Sequence, residues 1–288
     1  MARKPDQGVV LINVLVILAL TASVVYAMIS LSELSITRSQ RFSAAGQALA
    51  LIAAGEASAA VALRRDMIEA PATDHNAESW ALAGQETVAI EGGSFALKIE
   101  DAQRFLNLNS VASSGALGAQ MLRRVALALE LAPDVAPRIA ARLAQPDRLV
   151  RMADLVAEAG IAPEDVLRLS ALVTVLPGRT DINLNTAPEA LLGVVTDNPV
   201  QARRLAGIRE RNGYLTPADV TAAQIILPPG VGFVSRYFLV TTNVTVDGIR
   251  QTMETLLQRR SCSHPQTRRS DPALRSACRH STLYWCRP

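Results

Sequence analysis

The longest hydrophobic run lies near the amino terminus, where no charged residue occurs between Gln7 and Ser32. A helix of that length extends about 39 Å, more than a hydrocarbon core of about 30 Å. The helical pattern continues without proline to Pro71. It predicts one helix, transmembrane over residues 9–31 and a stem over 32–70. Apolar residues at helical spacing predict a packing stripe on the stem: Phe42, Ala45, Leu49, Ile52, Ala53, Ala59 and Leu63.

Alternation of apolar and polar residues predicts two β-hairpins, separated by helical sequence. The first hairpin turns at Glu91-Gly92-Gly93, and the second turns at Asp247-Gly248, a dipeptide favoured in two-residue turns. Ile249, Met253 and Leu257 alternate with polar residues, so one face of the last strand is expected to be buried. The predicted strands are residues 87–90, 94–99, 237–246 and 249–258.

Residues 113–225 are predicted to be helical from their capping signals. Thr186-Ala-Pro-Glu189 has the pattern of a capping box, in which Glu189 reaches back to the amide of Thr186. Thr216-Pro-Ala-Asp219 places an N-cap threonine before a proline at the first helical position. Two similar Asn-Leu-Asn segments each lead into a helix, and their amides are expected to satisfy backbone groups there rather than to catalyse: Asn107, Asn109, Asn183 and Asn185.

Together these elements predict an α+β fold. A long N-terminal transmembrane and stem α-helix packs on a small antiparallel sheet, into which a large α-helical domain is inserted. The predicted segments are a leader (1–8), the transmembrane helix (9–31), the stem (32–70), the first part of the sheet (71–112), the inserted domain (113–225), the second part of the sheet (226–258) and a basic tail expected to be disordered (259–288).

Charge is distributed unevenly along the 288 residues, which carry a net +3. Residues 259–288 hold seven Arg against one Asp, or +6, and this leaves the other residues at −3. The basic balance is therefore no argument for nucleic-acid binding. All three cysteines also lie in the tail, and the sequence leaves open which two of them would pair: Cys262, Cys278 and Cys286.

Enzymatic constellations are missing from the sequence. Of the three histidines only His75 precedes the tail, so neither a Ser–His–acid triad nor a histidine metal cluster is predicted in the body. The sequence contains no phosphate-binding glycine loop. Neighbouring carboxylates such as Glu100 and Asp101 are interpreted as solvated charges. We predict that the protein is not an enzyme.

The leader admits three interpretations. A secretory signal peptide is disfavoured, because the apolar run is too long and no small-x-small cleavage site follows it. A plain signal anchor and a prepilin leader ending at Gly8 both remain open on these residues. Both place Arg3 and Lys4 in the cytoplasm and the bulk of the chain outside.

Residues 8–258 resemble the type II secretion minor pseudopilin K family (general secretion pathway protein K). The resemblance rests on the Gly8–Val9 junction and on residues 99–110, 172–177 and 181–191. It implies cleavage after Gly8 by a prepilin peptidase, N-methylation of the new terminus at Val9, and a pseudopilin fold with an inserted α-domain. It also implies a single-pass protein of the inner membrane with a cytoplasmic amino terminus and a periplasmic bulk.

The same resemblance implies I-type and J-type minor pseudopilins and the major pseudopilin as partners, at the tip of a pseudopilus whose assembly the subunit helps to start. Asn13 stands at the fifth mature position, where pilins usually carry a Glu that pairs with a neighbouring amine. Calcium is the one cofactor that the resemblance admits. An acidic insertion usual in the family is missing between residues 147 and 151, so no ligand residue is predicted.

A different class of function is the alternative. Residues 182–220 resemble the helix-hairpin-helix module of membrane-anchored, DNA-binding competence proteins. That module binds phosphate through backbone amides of a Gly-x-Gly turn, but the turn here is Val195-Thr-Asp-Asn-Pro199, which has no glycine and adds a carboxylate. A phosphate patch would then depend on four arginines, and we expect no nucleic-acid binding: Arg203, Arg204, Arg209 and Arg211.

Overall fold

The computed structural model describes residues 6–84, 86–259 and 285–286, with only the backbone described for residues 6–9 and 285–286. Several features named above lie outside the described residues. They are Arg3 and Lys4 of the predicted leader, Cys262, Cys278 and most of the predicted tail.

Helix α1 spans Asp6–Glu69 and confirms the predicted single helix. From Val10 onward it is long and apolar enough to cross a membrane, by length and composition. It ends just before Pro71, as expected because a proline disfavours the helical conformation of the residue before it.

An antiparallel sheet packs on the stem part of α1. Its strands are β1 (Val88–Ile90), β2 (Gly93–Asp101), β7 (Tyr237–Val246) and β8 (Ile249–Gln258), in the order β1-β2-β7-β8, with β9 (Trp285–Cys286) added next to β8. Both predicted hairpins are confirmed, and the strands of the second have the predicted bounds. Asp247 and Gly248 have φ values of 47° and 78°, as a two-residue turn with two positive φ angles requires.

The stem contacts the sheet through small side chains, and the predicted stripe was partly wrong. Ile52, Ala59 and Leu63 are buried, but Phe42 and Leu49 are exposed. Near the apolar segment the contact surface is formed instead by Ala44 and Ala48, each one residue before the predicted Ala45 and Leu49. Alanine is so frequent on every side of this helix that apolar periodicity does not distinguish the packed face.

The inserted region lies between β2 and β7 and is wider than predicted, from residue 102 to 236. After a 3₁₀ turn (Ala102–Arg104), short strands pair in parallel, β3 (Leu106–Asn107) with β4 (Val173–Thr174) and β5 (Ile182–Asn183) with β6 (Val231–Gly232). Between them lie α3 (Leu108–Ser113), α4 (Gly115–Ala128), α5 (Val135–Leu143), α6 (Asp154–Ala159), α7 (Pro163–Leu169), α8 (Glu189–Thr196), α9 (Pro199–Asn212) and α10 (Pro217–Ala222). A short helix, α2 (Ser79–Leu82), precedes the sheet.

The inserted region is attached at the end of the stem that is far from the apolar segment. Val244 and Val246 pack on the stem at Ala44 and Ala48, whereas Phe238 packs at Ala59 and Leu63. The chain leaves the sheet at Asp101 and returns beside Phe238, its paired residue. Leu63 lies about 48 Å along the helix from Leu31, so the inserted region lies at the membrane-distal end.

Two local predictions differ in outcome. Thr216 and Asp219 form the capping box of α10, with Pro217 at the first helical position, as predicted. The capping box of Thr186 and Glu189 was wrong, because α8 begins after Pro188 without a side-chain cap. The hydroxyl of Thr186 instead donates to a buried carboxylate described below.

The tail prediction was also wrong at two places. Trp285–Cys286 pairs with Leu256 and Thr255 as a strand. The side chain of Arg259 is 8% exposed and makes buried ion pairs. The folded body therefore extends at least one residue beyond the predicted boundary.

Candidate functional site

A buried carboxylate lies where the sheet meets the inserted region. Asp101, at the end of β2, is 2% exposed. Its Oδ2 accepts hydrogen bonds from Ser235 Oγ (2.6 Å), Thr186 Oγ1 (2.6 Å) and Asn183 Nδ2 (2.8 Å), and its Oδ1 accepts one from the Gln103 amide (2.8 Å). Burial raises the pKa of Asp101, and these four bonds oppose the rise. The carboxylate is a connection point between two parts of the chain, and its interpretation as a solvated charge was wrong.

The second Asn-Leu-Asn segment extends this network. Asn183 accepts the amide of Asn185 (3.0 Å) and donates to the carbonyl of Asp74 (2.9 Å). Asn185 pairs with the backbone of Leu215, accepting from its amide (2.6 Å) and donating to its carbonyl (3.2 Å). Both side chains are thereby occupied by bonds that hold strand β5 and the loop before α10 in place.

The first Asn-Leu-Asn segment forms a similar arrangement further into the inserted region. Asn107 accepts the amides of Asn109 (3.1 Å) and Leu176 (3.0 Å). Asn109 donates to the carbonyls of Leu149 and Leu176, both at 3.0 Å. Each of the four Asn amides therefore bonds to backbone groups, and Asn107 and Asn183 also donate to side chains.

Glu189 is exposed at the start of α8 and makes no capping bond. Its charge lies near Arg209, whose pKa is lowered by burial and raised less by Glu189. Arg209 Nη1 donates to the carbonyls of Leu184 (2.8 Å) and Ala187 (2.7 Å). Arg209 thus satisfies backbone carbonyls before α8, whereas the predicted capping box would have satisfied backbone N–H groups.

A second group of charges adjoins the Asp101 network, and we call it the charge cluster: Asp66, Asp74, His75, Glu78 and Arg259. Arg259 Nη1 lies 3.0 Å from Asp66 Oδ2, and Nη2 lies 2.6 and 2.5 Å from the two oxygens of Asp74. Nη2 also donates to the carbonyl of Ser235 (2.8 Å). The amide of Ser235 donates to Asp74 Oδ2 (2.6 Å), which joins the two networks.

The loop before α2 supplies the rest of the charge cluster. Glu78 Oε2 accepts the indole N–H of Trp80 (2.5 Å) and the amide of His75 (3.1 Å). The ring of His75 stacks on Tyr214 of the inserted region, with centroids 4.4 Å apart. Burial raises the pKa of Glu78 and lowers that of His75. The cluster therefore joins α1, this loop, the end of β8 and the inserted region.

The carboxylates of Asp66, Asp74 and Glu78 were tested as a metal site, since each offers an oxygen within 4.8 Å of the others. Calcium takes six to eight oxygen ligands. Here the guanidinium of Arg259 lies against both Asp66 and Asp74, and Glu78 Oε2 is engaged by Trp80. Because a cationic side chain takes the place that a metal would need, these residues do not fit calcium.

The turn that corresponds to the phosphate-binding hairpin of the DNA-binding alternative makes its contacts within the inserted region. Asp197 has a φ of 51°, and its carboxylate pairs with Arg124 of α4 at 2.7 Å. Asn198 caps α9 by accepting the amides of Val200 and Gln201. Of the four candidate arginines, Arg204 and Arg209 donate to carbonyls within the domain. This geometry does not favour phosphate binding.

The predicted processing residues lie far from the junction. The backbone of Gly8 and Val9 is helical, and Asn13 is exposed on the same helix. Val9 and Asp66 are about 86 Å apart along α1. The structure therefore separates the candidate residues into a group at the amino-terminal end of α1 and a group of helix-entry residues in the inserted region.

Sequence reasoning missed Asp66, Asp74, Ser235 and Arg259. One signal was available for Asp101, because it has the same parity as the buried residues Leu97 and Ile99 of its strand. No local sequence pattern marks the four missed residues, since their partners in these contacts are between 24 and 193 residues away.

Comparisons with known proteins agree with this architecture. No protein-family model matches the sequence. Type II secretion system protein K of Pseudomonas aeruginosa is 26% identical over 299 residues, which cover 89% of this chain and 90% of that protein. This chain is therefore similar to a type II secretion protein K over most of its length. The similarity supports the expected class, a type II secretion minor pseudopilin.

A solved structure supports the pseudopilin fold. A chain in the crystal structure of the GspK-GspI-GspJ complex of enterotoxigenic Escherichia coli matches with a TM-score of 0.62 and 21% identity. The match covers 88% of this chain and 99% of that one. The predicted α+β pseudopilin fold with its long amino-terminal helix is confirmed.

Proposed function

We propose that this chain is a non-enzymatic subunit that caps the tip of a type II secretion pseudopilus and helps to start its assembly. The observation that carries this proposal is the position of the inserted region at the membrane-distal end of the stem. A fibre that grows from the membrane needs each new subunit to pack beneath the previous one. A large domain over the distal end would obstruct a subunit above this one.

Asn13 supports the same role. A carboxylate at this depth in the membrane is costly unless it is paired. An amide cannot neutralise the amine of a neighbouring subunit, so an Asn is suited to a subunit with no neighbour above it.

The outward face of the stem supports pseudopilin partners. Between Phe42 and Val61 the only charged residue is Glu56, and it faces the sheet, where it accepts the hydroxyl of Thr255. Phe42 and Val61 are 85% and 68% exposed. An uncharged face of this kind fits the apolar helices of I-type and J-type subunits, which we propose as partners together with the major pseudopilin.

Reconstitution tests the partners. The full chain in detergent is mixed with I-type and J-type pseudopilins and passed over a sizing column; we expect one complex that contains all three. Replacing Leu49 and Val61 by Glu should prevent its formation, whereas Glu at the exposed Leu167 of the inserted region should not. If the Leu167 variant failed to form the complex and the Leu49 and Val61 variant still formed it, the proposed interface would be contradicted.

Labelling tests the position. Gold particles directed to the inserted region should be found at one end of each sheared pseudopilus, at a number that does not rise with fibre length. Labels distributed along the shaft would refute the capping role.

We further propose the predicted processing, with the amino terminus in the cytoplasm of an inner-membrane protein and the bulk in the periplasm. Intact mass should show loss of residues 1–8 and gain of one methyl group on Val9. Gly8→Leu should retain the full-length mass, because the peptidase must accept a residue without a side chain there. Gln7→Ala, a change beside the same bond, should be processed normally.

A further inference from the structure

The charge cluster buries more negative than positive charge. Asp66, Asp74 and Glu78 are 4%, 0% and 8% exposed, and among the described residues Arg259 is the one cationic side chain in contact with them apart from His75. The Nδ1 atom of His75 accepts the amide of Ala77 (3.3 Å). A neutral His75 therefore carries its proton on Nε2, which lies 3.3 Å from Glu78 Oε1.

Full ionisation would leave this cluster with two uncompensated negative charges. Buried charge without a partner is costly, and a carboxylate in that position takes up a proton instead. Two of the three carboxylates accept at least two hydrogen bonds, although Oε1 of Glu78 is buried without one. Asp74 has Arg259 and the amide of Ser235, and Glu78 has Trp80 and the amide of His75.

Asp66 is the carboxylate with the least support. Its side chain accepts one hydrogen bond among the described residues, from Arg259 at 3.0 Å. The same guanidinium, through Nη2, also donates to both oxygens of Asp74. A proton on Asp66 would remove one of the two excess negative charges and leave the pairing of Asp74 with Arg259 intact.

We propose that Asp66 makes the junction of the inserted region proton-sensitive: a proton on Asp66 stabilises the junction, and loss of that proton near neutral pH weakens it. The proposal is independent of the capping role. The charged groups that face Asp66 are Asp74 and Glu78 of the loop before α2 and Arg259 at the end of β8. His75 lies beside Glu78, with Tyr214 of the inserted region behind it, and Asp101 of β2 lies behind Ser235.

The direction of the pH effect on stability follows from the raised pKa of Asp66. Burial, aided by the charges of Glu78 and Asp74, raises the pKa of Asp66 from 3.8 to about 7, although Arg259 opposes the rise. The folded protein thus holds this proton more tightly than the unfolded chain. The stabilisation is fully present below the unfolded value near 4 and is lost as pH rises towards 7.

His75 acts in the opposite direction, because its lowered pKa favours the folded state as pH rises towards 6.5. A comparison of variants that differ only at Asp66 removes this contribution. One unit of pKa shift corresponds to about a tenfold change in the ratio of folded to unfolded protein.

The test uses the full chain in detergent with Trp285→Phe, which leaves Trp80 as the only tryptophan. Because the indole of Trp80 donates to Glu78, its fluorescence reports unfolding at the cluster. Urea titrations between pH 5.5 and 7.5 should show the folded-to-unfolded ratio falling by about tenfold or more. Asp66→Asn should remove most of this fall.

Glu69→Gln is the matched control, since Glu69 lies one turn away on α1, is exposed and pairs with Arg65. It should retain the original pH profile. An Asp66→Asn profile that falls like the parent's would overturn the proposal. So would a parent profile made flat by added calcium or zinc, which would mean that the cluster binds a metal.

If Asp66→Asn fails to fold, carbon-13 NMR of labelled aspartate carboxyl groups provides the second measurement on the parent protein. An aspartate carboxyl signal that titrates near pH 7 in the parent protein, and that is missing from the spectrum of Asp66→Glu, supports the proposal. Titration of every aspartate below 5 would refute it.

Discussion

Replacing Arg259 by Met should strongly destabilise the protein, although this residue is the first of the segment predicted to be disordered. Methionine retains an apolar stem of similar length but removes the charge. The substitution takes away the donors to Asp66, Asp74 and the carbonyl of Ser235. It also removes the cation that lies 5.0 Å from the centre of the Phe238 ring.

The expected loss can be worked from burial. Arg259, Asp66 and Asp74 side chains are 8%, 4% and 0% exposed, and removal of one partner from a buried pair costs about 3–5 kcal/mol. For a chain of this size that corresponds to a fall in melting temperature of roughly 6–20 °C. The loss should be larger at pH 8 than at pH 5.5, because a proton on Asp66 replaces part of the missing positive charge.

Thermal and urea unfolding of the full chain in detergent measure this loss. Arg203→Met, at an exposed position on α9, is the control and should change stability by less than about 0.5 kcal/mol. Asp66→Asn in the Arg259→Met background should recover part of the loss, since it removes one unpaired carboxylate. A loss below about 1 kcal/mol at pH 8 would refute the buried ion-pair argument.

Three other changes test the body of the protein. Phe238→Ala should cost about 3–5 kcal/mol in urea unfolding, because the ring is fully buried and packs edge-on at 5.0 Å against Trp80, whereas Phe238→Leu should cost much less. Gly84→Ala should lower the melting temperature, since a Cβ there would lie 1.9 Å from the carbonyl oxygen of Leu97 at a φ of +82°; an unchanged melting temperature would contradict this close approach. Thr216→Ala should cost about 1 kcal/mol by removing the cap of α10, and Thr216→Ser should restore it.

Local signals predicted the hairpins well. Asp247-Gly248 determines both turn type and register, because few residues adopt the two positive φ angles that the turn needs. The capping box of Thr216 and Asp219 was likewise predictable, since its partners are three residues apart. Each of these features depends on a few neighbouring residues.

Long-range polar contacts were not predictable in this way. Thr186 has the residues of a capping box, in which its hydroxyl would accept a backbone N–H. The hydroxyl instead donates to the buried carboxylate of Asp101, 85 positions away. Arg259 follows a strand and begins an arginine-rich stretch, so charge patterning places it with the tail. Its ion pairs depend on how α1 ends over the sheet, which no local pattern specifies.

The attachment of the inserted region suggests how such a subunit could arise in evolution. Asp101 and Phe238 are paired residues on adjacent antiparallel strands, so their Cα atoms are about 5 Å apart. In topological terms, everything between them occupies the place of a hairpin loop. A single insertion into the turn of an ancestral pseudopilin would therefore leave every strand pairing of the sheet intact. The orientation of the inserted region then depends on the side-chain contacts of the Asp101 network and the charge cluster.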